Sequence, residues 1–188
     1  MIKLILISLF IPYALIFIVC DKNKDVITSP ENSYMNNNLL LNSSFEINDN
    51  PSHKYWHANN PDYVYYSEDT PPEGGQWSIY LRPEWGPPTS LTQSIKTRPG
   101  NFIYNFSFFA KSEGVGGRGV LGLQNSDTLV VCKQITVNDT NWIEYTISDT
   151  ISSTLWDTIF VAVNGGISQL AYGKTNFDLC KMECKIAK

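Results

Sequence analysis

An all-β fold, two antiparallel sheets packed as a sandwich, is what this sequence predicts, and three observations lead to it. No apolar stripe at helical spacing occurs after residue 38, whereas short β-branched and aromatic runs recur throughout. Turn residues punctuate those runs: Pro71-Pro72-Glu73-Gly74-Gly75, Pro87-Pro88, Pro99-Gly100, Gly116-Gly117 and Gly165-Gly166. The clearest run, Phe102 to Lys111, alternates: Phe102, Tyr104, Phe106 and Phe108 share one face, and Ile103, Asn105, Ser107 and Phe109 the other. That alternation describes a strand with one dry side and one partly wet side, and paired sheets bury the dry sides.

Taken in order, the predicted strands are 39–41, 63–66, 77–81, 91–95, 102–111, 118–124, 130–135, 142–147, 158–163 and 177–185. Before them stands a different kind of sequence. Met1-Ile2-Lys3 is a short basic start, and Leu4 to Val19 carries no charge, the layout of an export signal. Cys20 closes the run, as the lipidated cysteine does in a bacterial lipoprotein signal, although Phe17, Ile18 and Val19 replace the usual small residues. Lipidation at Cys20, an uncleaved anchor and release all remain open, and each puts the domain outside the cytoplasm. The organisation read from sequence is a signal over 1–20, a tether over 21–38 rich in Asn, Ser and Pro, and a sandwich domain over 39–188.

The chain carries 14 Lys+Arg against 18 Asp+Glu, a net charge of −4. Lys3 belongs to the signal, so 13 basic residues face 18 acidic ones in the remainder. That balance argues against nucleic acid and against an anionic membrane surface, leaving membrane association to the N-terminal anchor. Aromatic residues make up 13% of the chain, and many fall in turn-rich segments where a core does not demand them.

Several stretches, in order, resemble the carbohydrate-binding modules attached to cellulases and xylanases, which have a galactose-binding-like jelly-roll fold. Leu39-Leu40-Leu41-Asn42-Ser43-Ser44-Phe45-Glu46 resembles the opening strand and turn of that family, and Trp56 stands where the family often has a tryptophan. Gly75 to Leu81, Leu91 to Ile95 with Arg98 to Lys111, Asn141 to Thr146, and Phe177-Asp178-Leu179 resemble its later strands. Ser43 departs from the family's usual glycine, and Leu179-Cys180 from its usual Asn or Asp. The resemblance implies non-catalytic binding of polysaccharide or glycan. It also implies a structural calcium held through Glu46 and Asp178, whose alternative role is to accept backbone N–H bonds at strand ends.

Sugar rings stack their C–H faces on aromatic planes and need directional polar partners for their hydroxyls. Trp85, held between Pro83 and Pro87, offers a stiff platform with little ordering entropy left to lose. By resemblance this segment borders the family's cleft, with Arg82, Glu84 and Gln93 as polar partners. Trp56 either stacks on ligand or plugs one end of the sandwich, and Tyr172 has a similar standing. Trp77 and Trp142 begin alternating strands and read as core.

Catalysis finds little support. His53 and His57 lie in an Asn- and Pro-rich loop with no third ligand, and no nucleophile or phosphate-cradling motif occurs. Glu73, Glu84 and Asp69 are loop carboxylates of ordinary kind. Cys180 and Cys184 are too far apart on an extended strand to bridge; Cys132 could pair with either if their strands neighbour, and buried thiols are the alternative. The rival reading of different class is a structural or adhesive protein that uses the same sandwich against another protein.

Overall fold

The computed structural model describes residues 38–82, 88–97, 99–114, 116–125, 128–152, 158–166 and 173–187. The expected signal, the lipidation site Cys20 and all of the tether except Asn38 lie outside the described residues, as do Glu84, Trp85 and Tyr172. The fold's first contacts come from Asn38: its side chain donates to the Cys180 carbonyl at 2.9 Å and accepts from the Met182 N–H at 2.9 Å.

Among the described residues twelve strands run in chain order: β1 (Glu46–Ile47), β2 (Asn50–Pro51), β3 (His57–Ala58), β4 (Val64–Ser67), β5 (Ser78–Leu81), β6 (Thr89–Lys96), β7 (Asn101–Glu113), β8 (Gly117–Asn125), β9 (Thr128–Val137), β10 (Ile143–Ser152), β11 (Thr158–Gly165) and β12 (Lys174–Ile186). β1 and β2 pair with each other as a separate two-stranded ribbon, and the other ten form two five-stranded sheets. The first has the order β3-β6-β11-β8-β9 and the second β10-β7-β12-β5-β4. The pairings within both sheets are antiparallel. Successive strands repeatedly cross from one sheet to the other, the jelly-roll arrangement expected from sequence.

The core is built where alternation demands it. Tyr104, Phe106 and Phe108 of β7 point inward and are buried, against Ile159, Val161 and Val163 of β11 and Leu121 of β8. Each fully buried side chain of this size contributes about 1.5–3 kcal/mol. Phe108 stacks on Tyr145 at 5.7 Å and meets Phe177 at 5.9 Å. Gly119 makes room for it, since a Cβ there would fall 2.2 Å from the Phe108 ring.

Trp56 is a correction to the ligand-stacking expectation. It is buried in the core, its ring 5.2 Å from Phe45, and its indole N–H donates to the Asn42 carbonyl at 3.0 Å. With 5% of its surface exposed it offers no ring face to a ligand, and it plugs the end of the sandwich. Trp77 and Trp142 correct the opposite expectation. Both are half-buried and outside the core clusters, their indole N–H groups donating to the Asp49 carbonyl and to Asp69 respectively. Among the described residues the cysteines form no disulfide: Cys180 and Cys184 are buried and Cys132 is half-buried against the core.

Candidate functional site

The face of the first sheet that points away from the core follows from register. In β11, Ile159, Val161 and Val163 face the core, so Phe160, Ala162 and Asn164 face outward. Pairing then sets their neighbours. Phe160 lies between Ser94 of β6 and Gly122 of β8, Ala162 between Thr92 and Val120, and Asn164 between Ser90 and Arg118. One strand further out, His57 pairs with Thr92, and Gln134 with Val120.

The centre of this face is apolar and sheltered. Val120, Phe160 and Ala162 form a second hydrophobic cluster with Leu129, apart from the main core. Phe160 keeps only 4% of its surface exposed, far less than a ring on an open sheet face would. Gly122 is what lets it lie down: a Cβ there would stand 2.4 Å from two ring carbons. Around this floor stand amides, hydroxyls and one guanidinium. Arg118 donates to Gln134 Oε1 at 3.3 Å, and Ser94 donates to Gln124 Oε1 at 3.3 Å. Asn164 Oδ1 is buried with no hydrogen-bond partner among the described residues. Leaving such an acceptor unsatisfied costs about 1–3 kcal/mol. No carboxylate occupies an outward position of the described strands here, and Val120, Phe160 and Ala162 are themselves covered, so what this face offers a neutral polyol is the set of directional donors and acceptors around them.

Gln93 was expected as a polar partner for ligand, and the structure corrects this. It points inward from β6, is 2% exposed, and spends both ends of its amide on Leu41, accepting from the N–H at 2.8 Å and donating to the carbonyl at 3.0 Å. It fastens the opening segment to the first sheet. Arg82 lies on the other sheet's side. Its guanidinium sits 5.9 Å over the Tyr65 ring and lines a groove there.

Glu46 and Asp178 converge on one turn. Glu46 Oε2 accepts from the Gln76 N–H at 2.9 Å. A Cβ at Gly75 would stand 1.4 Å from Glu46 Oε1, and one at Gly74 would stand 2.6 Å from Asp178 Oδ2. Only glycines let both carboxylates press on this backbone. The neighbouring residues are bent to suit: Phe45 (φ 55°) and Leu179 (φ 48°) occupy the left-handed region that branched side chains avoid. Leu179 sits within the register shift of β12 between Asp178 and Lys181, an irregularity of the kind that re-aims a side chain. Asp178 is fully buried; Oδ1 accepts from the Leu179 N–H at 2.7 Å, while Oδ2 has no partner among the described residues. Burial drives its pKa to about 7, the Leu179 N–H opposing the rise and the negative charge of Glu46 adding to it.

This orphaned oxygen in a glycine-floored cradle fits a hard cation. Calcium takes about six to eight oxygen ligands. No group of three or more His, Cys, Asp or Glu side chains gathers among the described residues, so ligands beyond the two carboxylates would be backbone or amide oxygens and water.

Sequence reasoning missed the first-sheet face. The signal was present in β11, where Phe160, Ala162 and Asn164 alternate with Ile159, Val161 and Val163, but the two rows are equally apolar at their centre and only register separates them.

No family model and no curated protein matches this sequence. Solved structures do. TmCBM61 in complex with β-1,4-galactotriose matches at TM-score 0.55 and 17% identity, over 79% of this chain and 99% of that one. The CBM22-1 xylan-binding domain of Xyn10C from Paenibacillus barcinonensis matches at TM-score 0.53 and 13% identity, over 78% and 94%. A cyclase from Fischerella sp. TAU matches at 0.58 and 14%, over 78% and 96%, so the architecture also carries catalysts. The chain therefore has the jelly-roll sandwich fold common to carbohydrate-binding modules.

Proposed function

We propose that this chain is a non-catalytic glycan-binding domain, exported and held outside the cytoplasm by its N-terminal segment, whose ligand is a neutral polysaccharide received on the outer face of the first sheet. The observation that carries the reading is the chemistry of that face. A sheltered floor of Phe160, Ala162 and Val120 is edged by Asn164, Arg118, Gln134, Gln124, Ser94 and Thr92, with no carboxylate among the described outward positions. Arg118 and the amides around this covered floor take the hydroxyls of a sugar, and a hydroxyl donor that reaches the buried Asn164 Oδ1 satisfies it. The neighbours support the class: one was solved with β-1,4-galactotriose and another is described as xylan-binding. Trp85, Glu84 and Tyr172 remain candidate ligand residues.

A calcium ion at Glu46 and Asp178 is the second part of the proposal. It would neutralise two facing carboxylates and clamp the opening turn to β12; its role is structural. At the N-terminus, Cys20 is the proposed lipidation site, checked by mass spectrometry of the mature chain.

Calorimetric titration with β-1,4-galactotriose and xylo-oligosaccharides tests the binding reading. Saturable binding that Arg118→Ala weakens in a folded protein supports it. Absence of binding to a broad panel of neutral glycans, with a protein partner recovered instead, would replace it with the adhesive reading.

A further inference from the structure

The opposite side of the sandwich carries a different chemistry. In β5, Ile79 and Leu81 face the core, so Tyr80 faces outward from the second sheet, paired across the ladder with Tyr65 of β4. The two rings stack at 5.1 Å with 14° between planes. A cation caps each end of the stack: Arg82 lies 5.9 Å over Tyr65, and Lys174 lies 5.5 Å over Tyr80. Beside them opens a groove of about 640 Å³ lined by Ser67, Tyr80, Arg82, Glu113, Gly173 and Lys174.

Charge in this groove is unevenly paired. Lys174 contacts Glu113 at 3.4 Å, and Lys111 divides itself between Asp69 and Glu113. Arg82 forms no ion pair among the described residues. Among the described lining residues, two cations thus face the carboxylate of Glu113, in a chain whose overall charge is −4. A guanidinium with no ion pair among the described residues is suited to a bidentate oxyanion, and Arg82 lies within cation–π reach of the Tyr65 ring. Ser67 and Tyr80 supply hydroxyls to the same space.

The geometry points to a second binding site here, for the carboxylate of an acidic saccharide unit, a uronic acid residue. Arg82 grips the carboxylate, Lys174 adds charge from the far end of the tyrosine stack, and Ser67 with Glu113 meets the sugar hydroxyls. The site lies on the sheet opposite the neutral face, so the two sites can be filled independently. A polysaccharide with both neutral and uronic residues would engage the domain from two sides and gain avidity.

The test uses the full chain, titrated with oligogalacturonate and with its fully methyl-esterified form, which keeps the rings and loses the charge. The expected result is at least tenfold tighter binding of the acid. That preference should shrink as salt is raised from 20 to 300 mM, roughly from twice to half the Debye length at 0.1 M. Arg82→Gln should abolish the preference, Lys174→Gln should reduce it, and Arg82→Lys should keep part of it. Titration of the same variants with β-1,4-galactotriose reads the neutral face separately, and no change is expected there. Equal affinity for acid and ester, or an acid affinity within twofold of the parent in Arg82→Gln, overturns the inference, whatever the neutral titration gives.

Discussion

Replacing Asp178 with asparagine should stabilise the calcium-free protein at alkaline pH, the reverse of what removing a buried, hydrogen-bonded side chain usually does. The size of the effect follows from the cradle. The Asp178 carboxyl gives up its proton near 7 when folded, against 3.8 for an ordinary aspartate, because burial and the charge of Glu46 outweigh the Leu179 N–H. The folded state therefore holds this proton more tightly than the unfolded state. The stability it contributes is complete below about pH 4, falls as pH rises, and is gone above about pH 7. At about 1.4 kcal/mol per pH decade the loss is on the order of 4 kcal/mol. Asp178→Asn keeps the shape and an acceptor for Leu179 but has no proton to lose. In chelator at pH 8 it should melt roughly 10 °C above the parent, with the gap closing by pH 4.5. Calcium, bound as proposed, should reverse the order. At a hundred times its dissociation constant it should add about 3 kcal/mol to the parent at pH 8 and nothing to the variant. Thermal unfolding followed by near-UV circular dichroism, with chelator and with calcium, reads all four conditions. If Asp178→Asn melts below the parent at pH 8 in chelator, the pH reasoning is wrong; if calcium stabilises both proteins equally, the ion does not sit at this carboxylate.

Other substitutions separate framework from surface. Trp56→Ala should cost about 3–5 kcal/mol in urea unfolding while leaving glycan affinity of the folded fraction unchanged, since its ring is packed on Phe45. Gln93→Ala strands the Leu41 N–H and carbonyl and should cost about 2 kcal/mol, again without altering affinity in calorimetry. Gly75→Ala drives a methyl group into the Glu46 carboxylate and should remove the calcium-dependent rise in melting temperature. Gly122→Ala lifts the Phe160 ring and should cost about 1–3 kcal/mol together with a measurable loss of neutral-glycan affinity.

Much of the fold was legible because alternation is a local signal. The row Phe102–Tyr104–Phe106–Phe108 announced β7, and all four side chains are buried in the core. The limits were physical too. Residues 39–41 read as a strand, yet they run outside either sheet, tied by Leu39 N–H to the Met182 carbonyl and by Leu41 to Gln93. Strand β10 continues to Ser152, beyond the expected end at Ile147, because Ser148, Asp149 and Thr150 give no apolar cue while Ile151 beyond them is buried. The carboxylate cradle was reachable only through resemblance, since Glu46 and Asp178 are far apart in sequence. Sorting the aromatics was least accessible. Composition marks Trp56, Trp77 and Trp142 as alike, whereas what surrounds each ring depends on register and on which strand lies opposite. The outer face of the first sheet was hidden for the same reason, its floor being as apolar as the core behind it.

Calorimetry on Asn164→Ala and Arg118→Ala, titrated with β-1,4-galactotriose and xylo-oligosaccharides, tests the central claim most directly. The account predicts that the parent binds at least one of these sugars and that each variant, folded and melting within a few degrees of the parent, loses tenfold or more in affinity. Binding that survives both substitutions undiminished would contradict it, and would move glycan recognition off this face of the sandwich.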